Sequence, residues 1–239
     1  MTQRIRVLGI VMIVLGLVFA GAGIYAFTQV QAGSDSLQAF STAQNVTLSY
    51  DEDGNVMDRG SAEAGAEILR FLEEEWGYPV NYSEMDPNDP IVNTGSEYMY
   101  QMAVIGHHTL YADQTVVIAE STEYEGETFD AGEYTIYVRT VGERGELGGY
   151  WTDFDRMHPV EGPARSQAWS GTVHGLFGEL GVGAVTANML TLSTGIAAMI
   201  FGLGLTVMLL GGGLVWIGSS KEDDKTVAVE SSKPEPATT

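Results

Sequence analysis

The chain contains no cysteine, which excludes disulfide bonds and thiolate metal sites. Basic residues are also scarce, because eleven Lys and Arg stand against 32 Asp and Glu and the formal net charge is −21. Nucleic-acid binding needs Lys and Arg to neutralise phosphates, so this balance argues against nucleic acid as a partner. It favours basic partners, cations or a salty environment.

Charge is missing altogether from one long stretch near the C-terminal end. No Asp, Glu, Lys or Arg occurs between residues 181 and 220. A helix needs roughly 20 apolar residues to cross a bilayer core of about 30 Å. A soluble core helix of this length would show a polar face, whereas this stretch offers only Ser, Thr, Asn and Gly as polar or small residues. The sequence therefore predicts a transmembrane helix over 195–217, preceded by a juxtamembrane helical stalk over 181–194.

A second apolar run covers residues 7–27 and directly follows Arg4 and Arg6. Two interpretations stay open for it. It is either an uncleaved membrane anchor or a signal peptide, because Val30-Gln31-Ala32 offers a small-residue cleavage pattern. The apolar region of a signal peptide usually has about 7–15 residues, so the length of this run favours the anchor.

Basic residues are distributed unevenly on the two sides of these runs. The segment 28–180 has no lysine and only six arginines against 27 acidic residues, and all three lysines follow the second run. By the positive-inside rule, both termini are predicted to be cytoplasmic and the acidic segment extracytoplasmic, which places the protein in the plasma membrane. Its first expected partner is the lipid bilayer.

The predicted fold class is α+β: an antiparallel pair of transmembrane helices with a mixed α/β extracytoplasmic domain of short antiparallel strands and two or three helices. The predicted order is a cytoplasmic N-terminus (1–6), a transmembrane helix (7–27), the acidic domain (28–180), the stalk (181–194), a transmembrane helix (195–217) and a disordered cytoplasmic tail (218–239). Within the domain, periodicity and turn signals predict a hairpin over 45–59, helices over 61–76 and 95–110, strands over 115–120, 133–140 and 150–158, and a helix from Ser166 that continues into the second span. Thr94 and Glu97 have the spacing of a capping box.

Small residues recur every seven positions in both apolar runs. They are Gly9, Gly16 and Gly23 in the first run, and Ala197, Gly204, Gly211 and Gly218 in the second. Such spacing keeps one face of a helix toward its neighbour, and small residues there allow close backbone approach. The glycines are therefore candidate helix-packing residues between the two spans. Two alternatives stay open: the frequency of glycine in membrane helices, and an interface between different chains.

Four residues are candidate metal ligands: His107, His108, His158 and Asp113. A site with two histidines and one carboxylate is conceivable. Adjacent residues on a helix point about 100° apart, however, and the chain has no HxD, HxH or HExxH spacing. A structural role is favoured for these histidines, and no cofactor is expected.

Closely spaced acidic residues raise the question of calcium. Asp51, Asp53 and Asn55 follow the opening spacing of a calcium loop, but Ala62 occupies the position where such a loop has glutamate. An ordinary hairpin turn is favoured, and cation binding by the acidic domain stays an alternative.

Three stretches, AFTQVQAGSDSLQAFSTAQNVTLSYDEDG, DPNDPIVNTGSEYMYQM and YWTDFDRMHPVEGPARSQAW, resemble a group of small actinobacterial two-span membrane proteins. Members of this group are often catalogued as aromatic ring-opening dioxygenase. The resemblance implies a two-span membrane protein. The catalogue name would imply an iron-dependent enzyme, and this sequence lacks the iron-binding motif of the soluble dioxygenases.

The favoured prediction is a non-enzymatic membrane or cell-envelope protein that presents its acidic domain to a protein partner. Tyr98-Met99-Tyr100 and Tyr150-Trp151 are candidate anchors of that contact. Two further classes stay open, an extracytoplasmic metal-dependent enzyme and a cation-binding domain. Homo-oligomerisation is also left open.

Overall fold

The computed structural model describes residues 2–110, 112–137 and 155–231, and within them the chain is α+β. The helices are α1 (Thr2–Gln44), α2 (Ala62–Arg70), α3 (Gly95–Thr109), α4 (Glu161–Ala168) and α5 (Gly171–Ser231), with a π-helical turn at Phe71–Glu75 and a 3₁₀ turn at Tyr82–Glu84. The strands are β1 (Ser49–Tyr50), β2 (Val56–Met57), β3 (Asp113–Ile118), β4 (Thr122–Tyr124), β5 (Glu127–Phe129) and β6 (Gly132–Tyr137). The chain divides into two compact units, 1–36 with 189–239 and 37–188.

Helices α1 and α5 are long and apolar enough to cross a membrane. They have 43 and 61 residues, which at 1.5 Å per residue corresponds to about 65 and 90 Å. Both exceed the bilayer core of about 30 Å, so each helix continues well beyond a single span. Large apolar side chains such as Val18 and Leu209 are exposed along them, as expected for surfaces that face lipid.

Within the first unit, α1 and α5 approach each other at glycine. A Cβ atom built at Gly16 would lie 2.6 Å from the carbonyl oxygen of Gly204, and one built at Gly9 would lie 2.6 Å from that of Gly211. A Cβ at Gly23 would lie 2.6 Å from the backbone nitrogen of Phe201. Real Cβ atoms do not come this close, so only glycine permits this separation of the two backbones.

The course of α5 differs from the prediction at both ends. The predicted helix from Ser166 is interrupted, because α4 ends at Ala168 and the hydroxyl of Ser170 accepts a hydrogen bond from the backbone nitrogen of Val173 and so caps a new helix. At the other end, the backbone stays helical to Ser231, although a disordered tail was predicted from residue 218. A helix that is already formed adds Glu, Lys and Ala at little cost. Residues 232–239 lie outside the described residues.

The second unit contains a core built from the β1–β2 hairpin, α2 and α3. Tyr50 pairs with Val56 and Ser49 with Met57 in antiparallel register, which confirms the predicted hairpin. The buried residues of this core are Leu48, Val56, Ile68, Phe71, Leu72, Val92, Tyr98, Tyr100, Ala103, Leu180 and Ala184. Thr94 and Glu97 form both hydrogen bonds of the capping box at the start of α3, as predicted.

Tyr98 connects α3 to both long helices inside this unit. Its hydroxyl lies 2.7 Å from that of Ser41 in α1. Its ring packs against Gly183 in α5, where a Cβ would lie 2.5 Å from the ring. Tyr98 is fully buried. A larger residue at position 183 would displace it, so this glycine is required by packing rather than by backbone conformation.

A smaller cluster surrounds the remaining strands. Strands β3 and β6 pair antiparallel over six residues each, β4 and β5 form a short hairpin, and Val116, Ile118, Val160 and Ala164 are buried between them and α4. These pairings confirm the predicted strands at their described positions. Of the strand predicted over 150–158, residues 150–154 lie outside the described residues, and the remainder forms a turn before α4.

Replacing Gly16 by valine is expected to destabilise the protein, because the new side chain would meet the Gly204 backbone. Overpacking of this kind costs roughly 1–3 kcal/mol. Thermal unfolding of the detergent-solubilised protein measures the effect. The matched control is Gly21→Val, since nothing lies within 4 Å of a Cβ built at Gly21. Equal loss of stability in both variants would contradict the role of Gly16 in close packing.

Candidate partner-binding groove

A groove opens beside the β1–β2 hairpin in the second unit. It encloses about 490 Å³ and lies against one side of α2. Its lining residues are Tyr50, Gly54, Asn55, Val56, Ala62, Ala66, Leu69, Tyr82 and Met85. Most of these side chains are apolar or aromatic, which is typical of a surface that accepts a side chain from another molecule.

One rim of the groove is the acidic hairpin turn. Oδ1 of Asp51 accepts hydrogen bonds from the backbone nitrogens of Asp53, at 3.0 Å, and Asn55, at 2.7 Å, and Oδ2 accepts one from the Asn55 amide at 2.9 Å. These bonds hold the pKa of Asp51 below its usual value. Gly54 has a φ of 84°, which suits glycine. The structure thus shows the calcium-like spacing to be a hairpin turn whose first carboxylate accepts hydrogen bonds from the turn itself.

The facing rim is the loop that carries Asp86 and Asp89. Oδ1 of Asp86 accepts hydrogen bonds from the backbone nitrogen and the amide of Asn88, at 2.8 and 2.9 Å. These bonds lower the pKa of Asp86. The two rims adjoin, since a Cβ at Gly54 would lie 3.3 Å from Cγ of Pro87. The groove is therefore bordered by carboxylates that stay ionised at neutral pH.

Two tyrosines occupy the groove in different ways. The Tyr50 hydroxyl is buried and has no hydrogen-bond partner among the described residues. Burial, followed by the charges of Glu97, Asp86 and Asp89, raises the pKa of Tyr50 to about 12. Tyr82 is 56% exposed, and its hydroxyl donates to Oε1 of Glu73 at 3.0 Å. The groove therefore combines an apolar wall with an electronegative border.

The predicted metal ligands on α3 have other partners. Nε2 of His108 lies 2.7 Å from Oδ2 of the buried Asp58. The His107 ring packs edge-on against His108 and Phe71, with centroid distances of 5.2 and 6.1 Å. The two imidazoles face different surroundings, as their adjacent positions on a helix predict.

The other two predicted ligands lie in the smaller cluster. Nδ1 of His158 accepts hydrogen bonds from the backbone nitrogens of Val160 and Glu161, at 3.1 and 3.2 Å, so this side chain caps the start of α4. Asp113 is an exposed residue at one end of β3. Over the described ranges, no group of three or more His, Asp or Glu side chains is arranged to hold a metal ion.

The predicted aromatic anchors do not line the groove. Tyr98 and Tyr100 are 0% and 1% exposed, so the prediction that they contact a partner is wrong: both belong to the core. Tyr150 and Trp151 lie outside the described residues. Sequence reasoning instead missed Tyr82 and Met85, which sit in a segment with three prolines that was treated as a plain loop. The aromatic residue in that segment was the available signal.

No protein-family model, curated protein or solved structure matches the chain.

Replacing Asp58 by alanine is expected to lower the free energy of unfolding by roughly 1–3 kcal/mol, because it leaves Nε2 of His108 without its partner. Urea unfolding of the solubilised protein measures the change. Asp53→Ala is the control, since Asp53 is an exposed residue of the hairpin turn. An Asp58 variant as stable as the Asp53 variant would show that the pair contributes nothing to stability.

Proposed function

We propose that the chain is a membrane-anchored binding protein whose groove accepts a segment of a partner protein. That segment would carry an apolar side chain flanked by Lys or Arg. The observation that carries the proposal is an apolar groove of about 490 Å³ placed between two turns of ionised carboxylates. An apolar side chain in the groove contributes buried area, and the flanking cations contribute charge complementarity.

The charge of the whole segment supports a basic partner. Residues 28–180 carry 27 acidic side chains against six arginines. Such a surface raises the association rate of a cationic partner over several ångströms, and it disfavours acidic competitors. The same acidity also keeps a domain soluble, which is why the apolar groove, rather than net charge, carries the proposal.

The proposed placement has α1 and α5 as an antiparallel transmembrane pair, with both termini in the cytoplasm and the second unit outside the cell. Arg4 and Arg6 before the first run, and lysines only after the second, support this orientation. Close approach at Gly9, Gly16 and Gly23 supports packing of the two spans against each other. This organisation is also what the resemblance to small two-span actinobacterial proteins implies.

The groove is tested with three labelled peptides of equal length: Lys alternating with Leu, Lys alternating with Ser, and Glu alternating with Leu. Fluorescence anisotropy with the detergent-solubilised full-length protein measures the affinity. We expect the first peptide to bind at least tenfold more tightly than the other two, because only it supplies both the apolar and the cationic group. Equal binding of both Lys peptides would leave charge as the only contribution and would contradict the groove.

Two variants locate the binding on the protein. Tyr82→Ser removes the exposed aromatic wall, and Glu52→Gln combined with Asp53→Asn removes two charges from the rim. Each is expected to weaken the Lys–Leu peptide, the charge variant by roughly 1 kcal/mol per charge or less, which is up to about fivefold each. The control, Glu123→Gln with Glu125→Gln, removes two exposed charges at the β4–β5 hairpin, outside the groove. An equal effect of the control would show that binding follows net charge only.

Binding of the Lys–Leu peptide is expected to stay constant from pH 7 to 5 and to fall below about pH 4, near the ordinary Asp pKa. The pKa values of Asp51 and Asp86 are lowered, so both rims lose charge only as the pH falls through these lowered values. The hydrogen bonds of the two turns stabilise the folded state above the unfolded pKa and are lost over the same acid range. Anisotropy titration at constant ionic strength checks this. Loss of binding near pH 6 would point to histidine instead.

A further inference from the structure

One face of α5 carries large apolar side chains in strict alternation of three and four residues. This apolar stripe comprises Met189, Leu192, Ile196, Met199 and Leu203. All five are exposed, and Leu210 continues the spacing after Thr206. Toward the start of the helix, Val185 and Val182 extend it and are 64% and 68% exposed. A repeat of 3.5 residues is the pattern of helices that pack along a common seam.

Lipid accounts for only part of this stripe. Within the first unit, a Cβ at Gly33 would lie 2.8 Å from Cδ2 of Leu190, so this level of α5 lies beside the polar end of α1. There the amide of Gln31 donates to the carboxylate of Asp35 at 3.3 Å. A charged carboxylate is costly in hydrocarbon, so the bilayer core ends before this level. Met189 and Leu192 are nevertheless 56% and 58% exposed.

The glycine contacts leave the apolar stripe free. Gly204 and Gly211 face α1, whereas Leu203 and Leu210 precede each of them by one position, which on a helix is a turn of about 100°. The stripe therefore lies on a different face of α5 from the one that α1 covers.

A second copy of the chain is the partner that matches this stripe. Two copies in one membrane have the same orientation and depth, so each residue of the stripe meets the same residue of the other copy in register. No charged residue occurs between positions 181 and 220, so this contact brings no like charges together. Exposed apolar side chains outside the bilayer gain about 25 cal/mol per Å² when another surface covers them.

We propose that the apolar stripe of α5 forms a parallel, in-register helix pair with the same stripe of a second copy, from the juxtamembrane part of the helix into the span. Thr206 is the one polar position in the repeat between Met189 and Leu210. Hydroxyl side chains pack and form hydrogen bonds between helices in membranes. The partner is thus another copy of this chain rather than a different membrane protein.

The absence of cysteine makes disulfide crosslinking in native membranes a direct test. Single-cysteine variants of the full chain are made at Met189, Leu192, Ile196 and Met199, oxidised, and examined on non-reducing gels. We expect covalent dimers at all four positions. The controls are Thr194→Cys and Ala198→Cys, which are also exposed but lie on the opposite side of α5. Controls are expected to form at least fivefold less dimer.

Three other outcomes would overturn the proposal. Dimers at Thr194 and Ala198 but not on the stripe would place the contact on the face that also carries Gly195 and Gly202. Equal crosslinking at all six positions would indicate random collision. Monomer at every position, with a monomeric mass in native mass spectrometry of the unmodified protein, would show that lipid alone covers the stripe.

Discussion

The backbone of a membrane span has no water to bond with, so every N–H and C=O group inside the bilayer must be satisfied within the segment itself. Helices α1 and α5 meet this constraint, and their lengths of 43 and 61 residues exceed what a single crossing needs. Where the two helices meet, at Gly16 and Gly204, a missing side chain lets the backbones come into contact. Between helices in a membrane, dispersion contacts of this kind replace the hydrophobic effect, which offers little once both surfaces already face lipid.

The excess length of both helices gives the second unit its framework. The end of α1 contributes Ser41 and the start of α5 contributes Gly183, and both contact the buried Tyr98 of α3. The capping box at Thr94 starts α3 in the register that directs Tyr98 inward. Because these contacts hold α2, α3 and the β1–β2 hairpin in one core, the hairpin turn can be placed rigidly against the loop at Asp86, and a groove results between them. Binding surfaces on a rigid support lose less entropy when a partner docks.

Local signals predicted much of the second unit. Alternation at Val46, Leu48 and Tyr50 predicted the hairpin, and Thr94 with Glu97 predicted the start of α3, because both depend on residues a few positions apart. The break at Ser170 also depends on local capping, yet the moderately apolar residues on both sides concealed it. The groove depends on Tyr82 and Met85 folding back onto a hairpin some 30 residues earlier in the chain, and no periodicity reports such a contact. Aromatic residues were therefore assigned to the surface where they are in the core, and the exposed one was missed.

The amino-acid sequence by itself determined that two helices are apolar and long enough to cross a membrane, that the chain is strongly acidic and free of cysteine, and that glycine recurs along both apolar runs. These properties follow from composition and spacing, which do not change on folding. Only the tertiary structure decided which histidines stand apart and which carboxylates are bound by their own turns. It also decided which apolar face of α5 has no cover within the described chain. Those outcomes depend on contacts between residues distant in sequence, where packing and desolvation select one partner among many that the residue types would allow.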